Sequence, residues 1–308
     1  PIDKELPDKD ISMLISKGDA EAVFHSRTYK ETAELHLAND ERCKYAINMT
    51  HNGKASGGKF LTIDELCEMG KKLLENGDRR FLDAEVKPED LAAIVFTSGT
   101  TGYPRIATHS YKYALGHYPT AKHWHNVNPD GLHFTISDTG WAKSMWGKLY
   151  GQWLCEAGIF TYDFDRFHSD DILPLFKKYN ITTFCAPPTM YRFFIKEDLS
   201  KYDLSSIEYA TTAGEALNPE VFNQFKKATG LTIMEGFGQT ETTLSIANFV
   251  GSTPKIGSMG RPSPLYDVVV LDPDGNECKT GDTGEICIRT KDGAPNGLFI
   301  GYYLDEEK

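Results

Sequence analysis

The sequence predicts an α/β fold in which parallel sheets are covered by helices on both faces, followed by a β-rich stretch. Short apolar runs alternate with helical patterns over most of the chain, and capping residues stand between them. From about Thr253 the texture changes to closely spaced strands and turns. These shifts divide the chain into an α/β core over 1–252, read as incomplete at its N-terminus, and a β-rich region over 253–308, also read as incomplete.

The elements follow in order. His51-Asn52-Gly53-Lys54-Ala55-Ser56-Gly57-Gly58-Lys59 reads as a surface loop with no strand leading into it. Ile94-Val95-Phe96 is an apolar run that feeds a polar loop. Strand patterns at Leu132–Ile136, Ile159–Tyr162 and Ile181–Ala186 alternate with helical patterns at Trp141–Cys155 and Ser169–Tyr179. The clearest unit begins with a strand at Ile207–Thr212. A helix follows, with Asn218 as N-cap, Pro219 at its first position and Gly230 as its stop, and a strand at Leu231–Met234 closes the unit. Further on, Tyr266–Leu271 and Glu285–Arg289 read as strands, with a turn at Asp272-Pro273-Asp274-Gly275.

With 308 residues and 40% apolar content, the chain can build a real core in one large or two ordinary domains. Acidic residues outnumber basic ones by 44 to 33, a net charge of −11, which argues against nucleic acid or an anionic membrane as a general partner. An anionic ligand then needs a local site. No apolar run approaches the roughly 20 residues of a membrane span, and Pro1-Ile2-Asp3-Lys4-Glu5 is no signal peptide. Because residue 1 is not Met, the native N-terminus is read as missing, and a cytoplasmic location is the expectation. Cys43, Cys67, Cys155, Cys185, Cys278 and Cys287 form no CxxC pair and read as reduced thiols. His123 and His125 read as helix or loop surface rather than metal ligands.

The chemistry is carried by two loops. Thr97-Ser98-Gly99-Thr100-Thr101-Gly102-Tyr103-Pro104-Arg105 combines close-approach glycines, hydroxyl donors and a guanidinium, which suits a polyphosphate; a polar surface turn is the plain alternative. Its spacing does not fit the P-loop pattern. The second is Glu235-Gly236-Phe237-Gly238-Gln239-Thr240-Glu241-Thr242. Each begins where an apolar run stops, which places both at the carboxyl ends of strands and on one rim.

Between and after them stand Thr135-Ile136-Ser137-Asp138-Thr139-Gly140-Trp141, Thr211-Thr212-Ala213-Gly214-Glu215-Ala216-Leu217, Gly257-Ser258-Met259-Gly260-Arg261-Pro262 and Gly281-Asp282-Thr283-Gly284-Glu285-Ile286. In this order the motifs resemble the adenylate-forming (AMP-binding) superfamily, and within it the medium-chain, butyrate-type acyl-CoA synthetases. The resemblance implies a small barrel-like subdomain for the β-rich stretch. It implies a carboxylic acid activated by ATP as an acyl-adenylate, with release of pyrophosphate, then passed to coenzyme A. Mg²⁺ is the implied cofactor, and ATP, the acid and CoA are the implied small-molecule partners. No oligomeric state follows from it.

By the same resemblance, Thr97, Ser98, Gly99, Thr100, Thr101 and Gly102 wrap the β- and γ-phosphates, and Arg105 stands where the family usually has Lys. Gly214, Glu215 and Ala216 lie along the adenine, on which Phe237 packs, and Glu235, Gly236 and Gln239 belong to the same nucleotide-binding segment. Thr240 meets the α-phosphate and Glu241 holds Mg²⁺, so Thr240, Glu241 and Arg105 are the expected catalytic residues. Trp141, Gly214 and Gly238 are assigned to the acyl pocket. In acetate-specific relatives the position of Gly238 carries a Trp that floors this pocket. Its absence here implies room for a medium-chain or aryl acid, each added CH₂ being worth roughly 0.8 kcal/mol. Plain alternatives stand beside these roles: a surface ion pair for Arg105, a helix cap for Glu241, core packing for Phe237 and Trp141.

Thr280-Gly281-Asp282 looks like the ribose-binding motif but sits in the setting of a barrel loop. The ribose aspartate, the hinge and the mobile C-terminal domain with its catalytic lysine are expected beyond Lys308, so the chain reads as a fragment of the large N-terminal domain, impaired in thioester synthesis by itself. Rival readings are a non-catalytic nucleotide- or acyl-binding module, an aryl-CoA ligase, or an adenylation domain that loads a carrier protein.

Overall fold

The computed structural model describes residues 1–3, 5–51, 57–97, 104–164, 166–291 and 293–304. They form two compact units, residues 2–87 and residues 88–308 together with residue 1.

The first unit runs α1 (Asp8–Lys17), β1 (Ala22–His25), α2 (Lys30–Asn39), β2 (Tyr45–Asn48), β3 (Phe60–Thr62) and α3 (Ile63–Glu75). The strands pair in parallel in the order β1-β2-β3. Ala33, Leu37, Cys43 and Ala46 bury a small core against Val23 and Phe60. Thr62 starts α3 through a reciprocal bond with Glu65, each side chain accepting from the other's backbone N–H. Of the glycine-rich loop, residues 52–56 lie outside the described residues. A strand does precede it, since β2 ends at Asn48, contrary to the sequence reading.

The second unit runs β4 (Leu91–Thr97), β5 (Arg105–Ser110), α4 (Lys112–Pro119), β6 (Leu132–Thr135), α5 (Ala142–Lys148), α6 (Tyr150–Leu154), β7 (Gly158–Phe160), α7 (Ser169–Tyr179), β8 (Thr183–Ala186), α8 (Pro188–Phe194), β9 (Tyr209–Thr212), α9 (Pro219–Thr229), β10 (Ile233–Gly238), β11 (Leu244–Ala247), β12 (Arg261–Pro262), β13 (Asp267–Leu271), β14 (Glu285–Arg289) and β15 (Gly301–Tyr302). Its main sheet has the order β12-β11-β10-β9-β8-β6-β7. The strands from β10 to β7 are parallel, while β11 and β12 return antiparallel at one edge. This is the α/β fold that the alternation announced. Asn218 accepts from Glu220 N at 2.8 Å, and Gly230 closes α9 at φ 76°, a left-handed conformation that costs glycine little.

An aromatic core made of Phe134, Phe176, Phe184, Tyr191, Phe194 and Phe225 locks the parallel strands to α7, α8 and α9. Phe176 and Phe184 meet edge to face with centroids 4.9 Å apart, as ring quadrupoles prefer. Removing either ring would cost about 3–5 kcal/mol. The helical pattern at Trp141–Cys155 resolves into two helices, α5 and α6, broken at Leu149 (φ −135°, ψ −99°).

One expectation about placement is corrected. The strand ahead of the Thr97–Arg105 loop is not in the parallel sheet: β4 and β5 form an antiparallel hairpin that β15 extends to three strands. The β-rich stretch is also divided among sheets, with β12 on the main sheet, β15 on β5, and β13–β14 as a two-stranded hairpin.

Candidate functional site

The site grows from the carboxyl end of β10, where the chain leaves the parallel sheet and turns back into β11. Gln239 N donates to Thr242 Oγ1 at 3.0 Å, and Thr242 N donates to Gln239 O at 3.2 Å, so the turn fastens itself. The next carbonyls are held from outside. Thr240 O accepts from His109 Nε2 of β5 at 2.9 Å, and Glu241 O accepts from Phe299 N at 2.8 Å. Tyr302 of β15 donates its phenolic hydrogen to Glu241 Oε1 at 2.8 Å. Behind the turn, Thr243 N donates to the buried Tyr266 hydroxyl at 2.9 Å.

Arg105, the first residue of β5, is half-buried, and its guanidinium carbon lies 5.1 Å from the centre of the Tyr302 ring. The carboxylate of the second motif and the cation of the first therefore share one aromatic ring. Burial, and then the Glu241 carboxylate, push the Tyr302 hydroxyl above its ordinary range. It stays a donor at neutral pH. Glu241 Oε2 accepts no hydrogen bond from a described residue. Among the described residues there is no cluster of three or more His, Cys, Asp or Glu able to hold a metal. One half-buried carboxylate with a spare oxygen fits a Mg²⁺ ion that takes its remaining ligands from phosphates and water.

The strand-end segment after β9 leaves the sheet next to β10, with which β9 pairs. Gly214 adopts φ +104°, and Gly214, Glu215 and Ala216 are exposed. The Glu215 carboxylate accepts from the Thr189 hydroxyl at 2.8 Å and Arg192 Nη2 at 3.0 Å, both on α8. Lys143 of α5 donates to Ala213 O at 2.6 Å. Glu235 is buried, and its Oε1 accepts from Leu217 N at 3.1 Å. Burial raises its pKa, partly offset by that bond. Its carboxylate thus ties the Gly214–Ala216 segment to β10.

This succession of segments agrees with known proteins. The description AMP-binding enzyme matches residues 1–303. The chain belongs to the AMP-binding enzyme family. It is 33% identical over 305 residues to the human acyl-coenzyme A synthetase ACSM3, mitochondrial, covering 99% of this chain and 50% of that protein. Against human ACSM4, mitochondrial, identity is 38% over 225 residues, covering 73% and 39%. The chain spans about half the length of the ACSM3 relatives it matches. Among solved structures, the Brucella canis acyl-CoA synthetase superposes with a TM-score of 0.82 at 23% identity, covering 99% of this chain and 54% of that one. An anthranilate CoA ligase, AuaEII, in complex with anthranoyl-AMP, gives 0.84 at 23%, covering 99% and 57%. These two likenesses show the fold.

In this member of the AMP-binding enzyme family the residues picked from sequence divide unevenly. Thr97 pairs with Arg105 at the mouth of the hairpin; Ser98, Gly99, Thr100, Thr101 and Gly102 lie outside the described residues. Phe237 is half-buried between two glycines whose own side of the strand is packed. A Cβ on Gly236 would meet Leu244 at 2.7 Å and the Trp124 ring at 2.8 Å. A Cβ on Gly238 would collide with the Thr243 carbonyl and the Trp146 indole. At Gly238, where the sequence implies an open pocket floor, the indole of Trp146, 5% exposed, occupies the side on which a Cβ would lie. Trp141 is 58% exposed.

Sequence reasoning missed His109, Tyr302, Trp146 and the histidines below the site. His125 is not at a surface: it is 1% exposed, and its Nδ1 lies 2.9 Å from Thr211 Oγ1. His133 bridges Thr183 Oγ1 and Thr135 Oγ1, both at 2.8 Å. Burial lowers every one of these rings, His109 to about 4, His117 and His133 to about 3, and His125 well below the ordinary 6.5. The spacing of His109 from the Arg105 strand start was the available signal. No described helix is long and apolar enough to cross a membrane.

Proposed function

We propose that the protein carrying this chain activates a carboxylic acid with ATP as an acyl-adenylate and passes the acyl group to coenzyme A. The observation that carries this reading is the Arg105–Tyr302–Glu241 arrangement, in which the Tyr302 ring stands between a fixed cation at the start of β5 and a carboxylate with a spare oxygen on the loop after β10. A carboxylate is a poor acyl electrophile, so its oxygen first attacks the α-phosphorus of ATP, expelling pyrophosphate, and the thiol then attacks the activated carbonyl. Arg105 offsets charge on the phosphates, and Thr240 faces the α-phosphate. Glu241, joined by phosphate oxygens, would hold Mg²⁺, which supplies neutralisation of the departing pyrophosphate. Thr97–Gly102 takes the outer phosphates, and Gly214–Ala216 with Phe237 takes the adenine.

The acid is of the medium-chain fatty class. This rests on the motif resemblance and on the likeness to ACSM3 and ACSM4, not on open space at Gly238. Scattered free thiols suit a reducing aqueous compartment. The cytoplasm is the reading of the sequence; the names of the ACSM relatives make mitochondria the alternative.

Exchange of labelled pyrophosphate into ATP, driven by a panel of carboxylic acids in the full-length protein, tests the reading. Acid- and Mg²⁺-dependent exchange, strongest with medium-chain acids, is the expected result. ATP binding without exchange for any acid would make the protein a nucleotide-binding module instead.

A further inference from the structure

We infer that His109 is a positioning residue for the Thr240–Glu241 turn: its Nε2–H holds the Thr240 carbonyl and so fixes where the Thr240 hydroxyl and the Glu241 carboxylate point. The inference rests on the proposed role of that turn at the phosphates and Mg²⁺.

A carbonyl oxygen can only accept, so the 2.9 Å contact requires the hydrogen on Nε2. Nδ1 then has no hydrogen and, buried, no partner among the described residues. Such an atom is a cost that plain core packing gives no reason to retain. The ring is fully buried and cannot swing away, because Tyr113 of α4 stacks on it with centroids 3.7 Å apart. His117 in turn meets Tyr113 edge-on at 4.5 Å. Burial keeps the imidazole neutral near pH 7, so it contributes one directed donor and no charge beside Glu241.

The position of His109 on β5 adds a second consequence. Arg105 and His109 lie on one face of the strand, since side chains alternate along it. The strand that leaves the first motif thereby grips the second motif by its backbone. With Phe299 N on the Glu241 carbonyl, consecutive peptide oxygens of the turn are held from β5 and from the segment entering β15. The turn can then present its side chains without reorganising when charge arrives, as electrostatic preorganisation requires.

The test uses the full-length protein and pyrophosphate exchange at varied Mg²⁺. His109→Phe keeps an aromatic ring in the stack and deletes the donor. The Mg²⁺ concentration for half-maximal exchange should rise about tenfold, the scale set by one unsatisfied buried carbonyl. His109→Gln, whose amide can reach the same carbonyl, should restore it to within about threefold of wild type. A residue that merely supports the fold would lower thermal stability and rate without moving the Mg²⁺ requirement, and that result would overturn the inference. Should His109→Phe not fold, His109→Leu replaces it in the comparison. ¹⁵N NMR of the wild-type ring gives an independent reading, and an Nδ1–H tautomer would sink the idea outright. If the wild type supports no exchange with any acid, the functional reading falls, and this inference with it. Exchange by the wild type with an unchanged Mg²⁺ requirement in the variant removes this inference alone.

Discussion

Tyr302 donates to one oxygen of the Glu241 carboxylate at 2.8 Å while the same ring lies under the Arg105 guanidinium, so a neutral aromatic spacer keeps cation and anion from forming a direct pair. A direct pair would occupy both groups and leave neither for a ligand. Tyr302→Phe should preserve folding and raise the Mg²⁺ requirement of pyrophosphate exchange only a few-fold. Glu241→Gln keeps size but removes charge, and should reduce exchange by about 100-fold or more. Equal exchange in Glu241→Gln and wild type would make this carboxylate a structural residue.

Glu235 gives a stability prediction with a definite sign. Its folded pKa is raised above the unfolded value, so ionisation opposes folding as pH rises past 4.5. Glu235→Gln keeps an acceptor for Leu217 N and removes the buried charge; urea unfolding at pH 7 should show equal or slightly higher stability. Glu235→Ala leaves that N–H unsatisfied and should cost about 1–3 kcal/mol. The reverse order would mean that the charge itself is stabilising.

Gly238 now leads to a different expectation from the one its sequence context suggested. Any side chain there strikes the Thr243 carbonyl and the Trp146 indole, so even Gly238→Ala should lose about 1–3 kcal/mol in denaturant unfolding. Gly238→Trp should destabilise rather than simply shorten the acyl pocket. Trp146→Leu is the informative change: if the acyl tail approaches Gly238, the ratio of kcat/KM for a long over a short acid should rise, and an unchanged ratio would place the tail elsewhere.

The buried histidines make the fold acid-sensitive. His109, His117, His125 and His133 have folded pKa values below the ordinary 6.5, so the unfolded chain binds more protons in between. Stability from these rings is complete above pH 6.5 and is lost as pH falls toward 4 and then 3. Unfolding free energy measured from pH 7 to 5 should fall with a slope that reports uptake of about three protons. His133→Gln should reduce that slope by about one proton; an unaltered slope would mean that His133 is protonated in the folded chain.

The parts of the fold that could be read from sequence are those fixed by neighbours. Asn218, Pro219 and Gly230 bound α9 through contacts within a turn, and the apolar runs at Phe184 and Ile233 become central strands because both faces are covered. The strand ahead of the Thr97–Arg105 loop reads as one of the parallel set, but it pairs with β5, whose other partner, β15, comes from far along the chain. Trp146 went unseen because the break at Leu149 turns one helical pattern into two, and the helical phase did not tell Trp141 from Trp146. His125 passed for a surface residue because its partner, the Thr211 hydroxyl, is supplied by β9.

The pairing of β5 with β15 has a kinetic side. The Thr108 hydroxyl donates to Gly301 O across 193 positions, and the same pairing brings Tyr302 to Glu241. Closing so long a loop costs entropy before any contact repays it. A chain emerging from the ribosome can complete its parallel strands and aromatic core while Glu241 still lacks Tyr302. Among the described elements of this unit, the corner built by Arg105, Tyr302 and Glu241 is therefore the last able to form during synthesis, and its late arrival is what a nascent-chain experiment would detect.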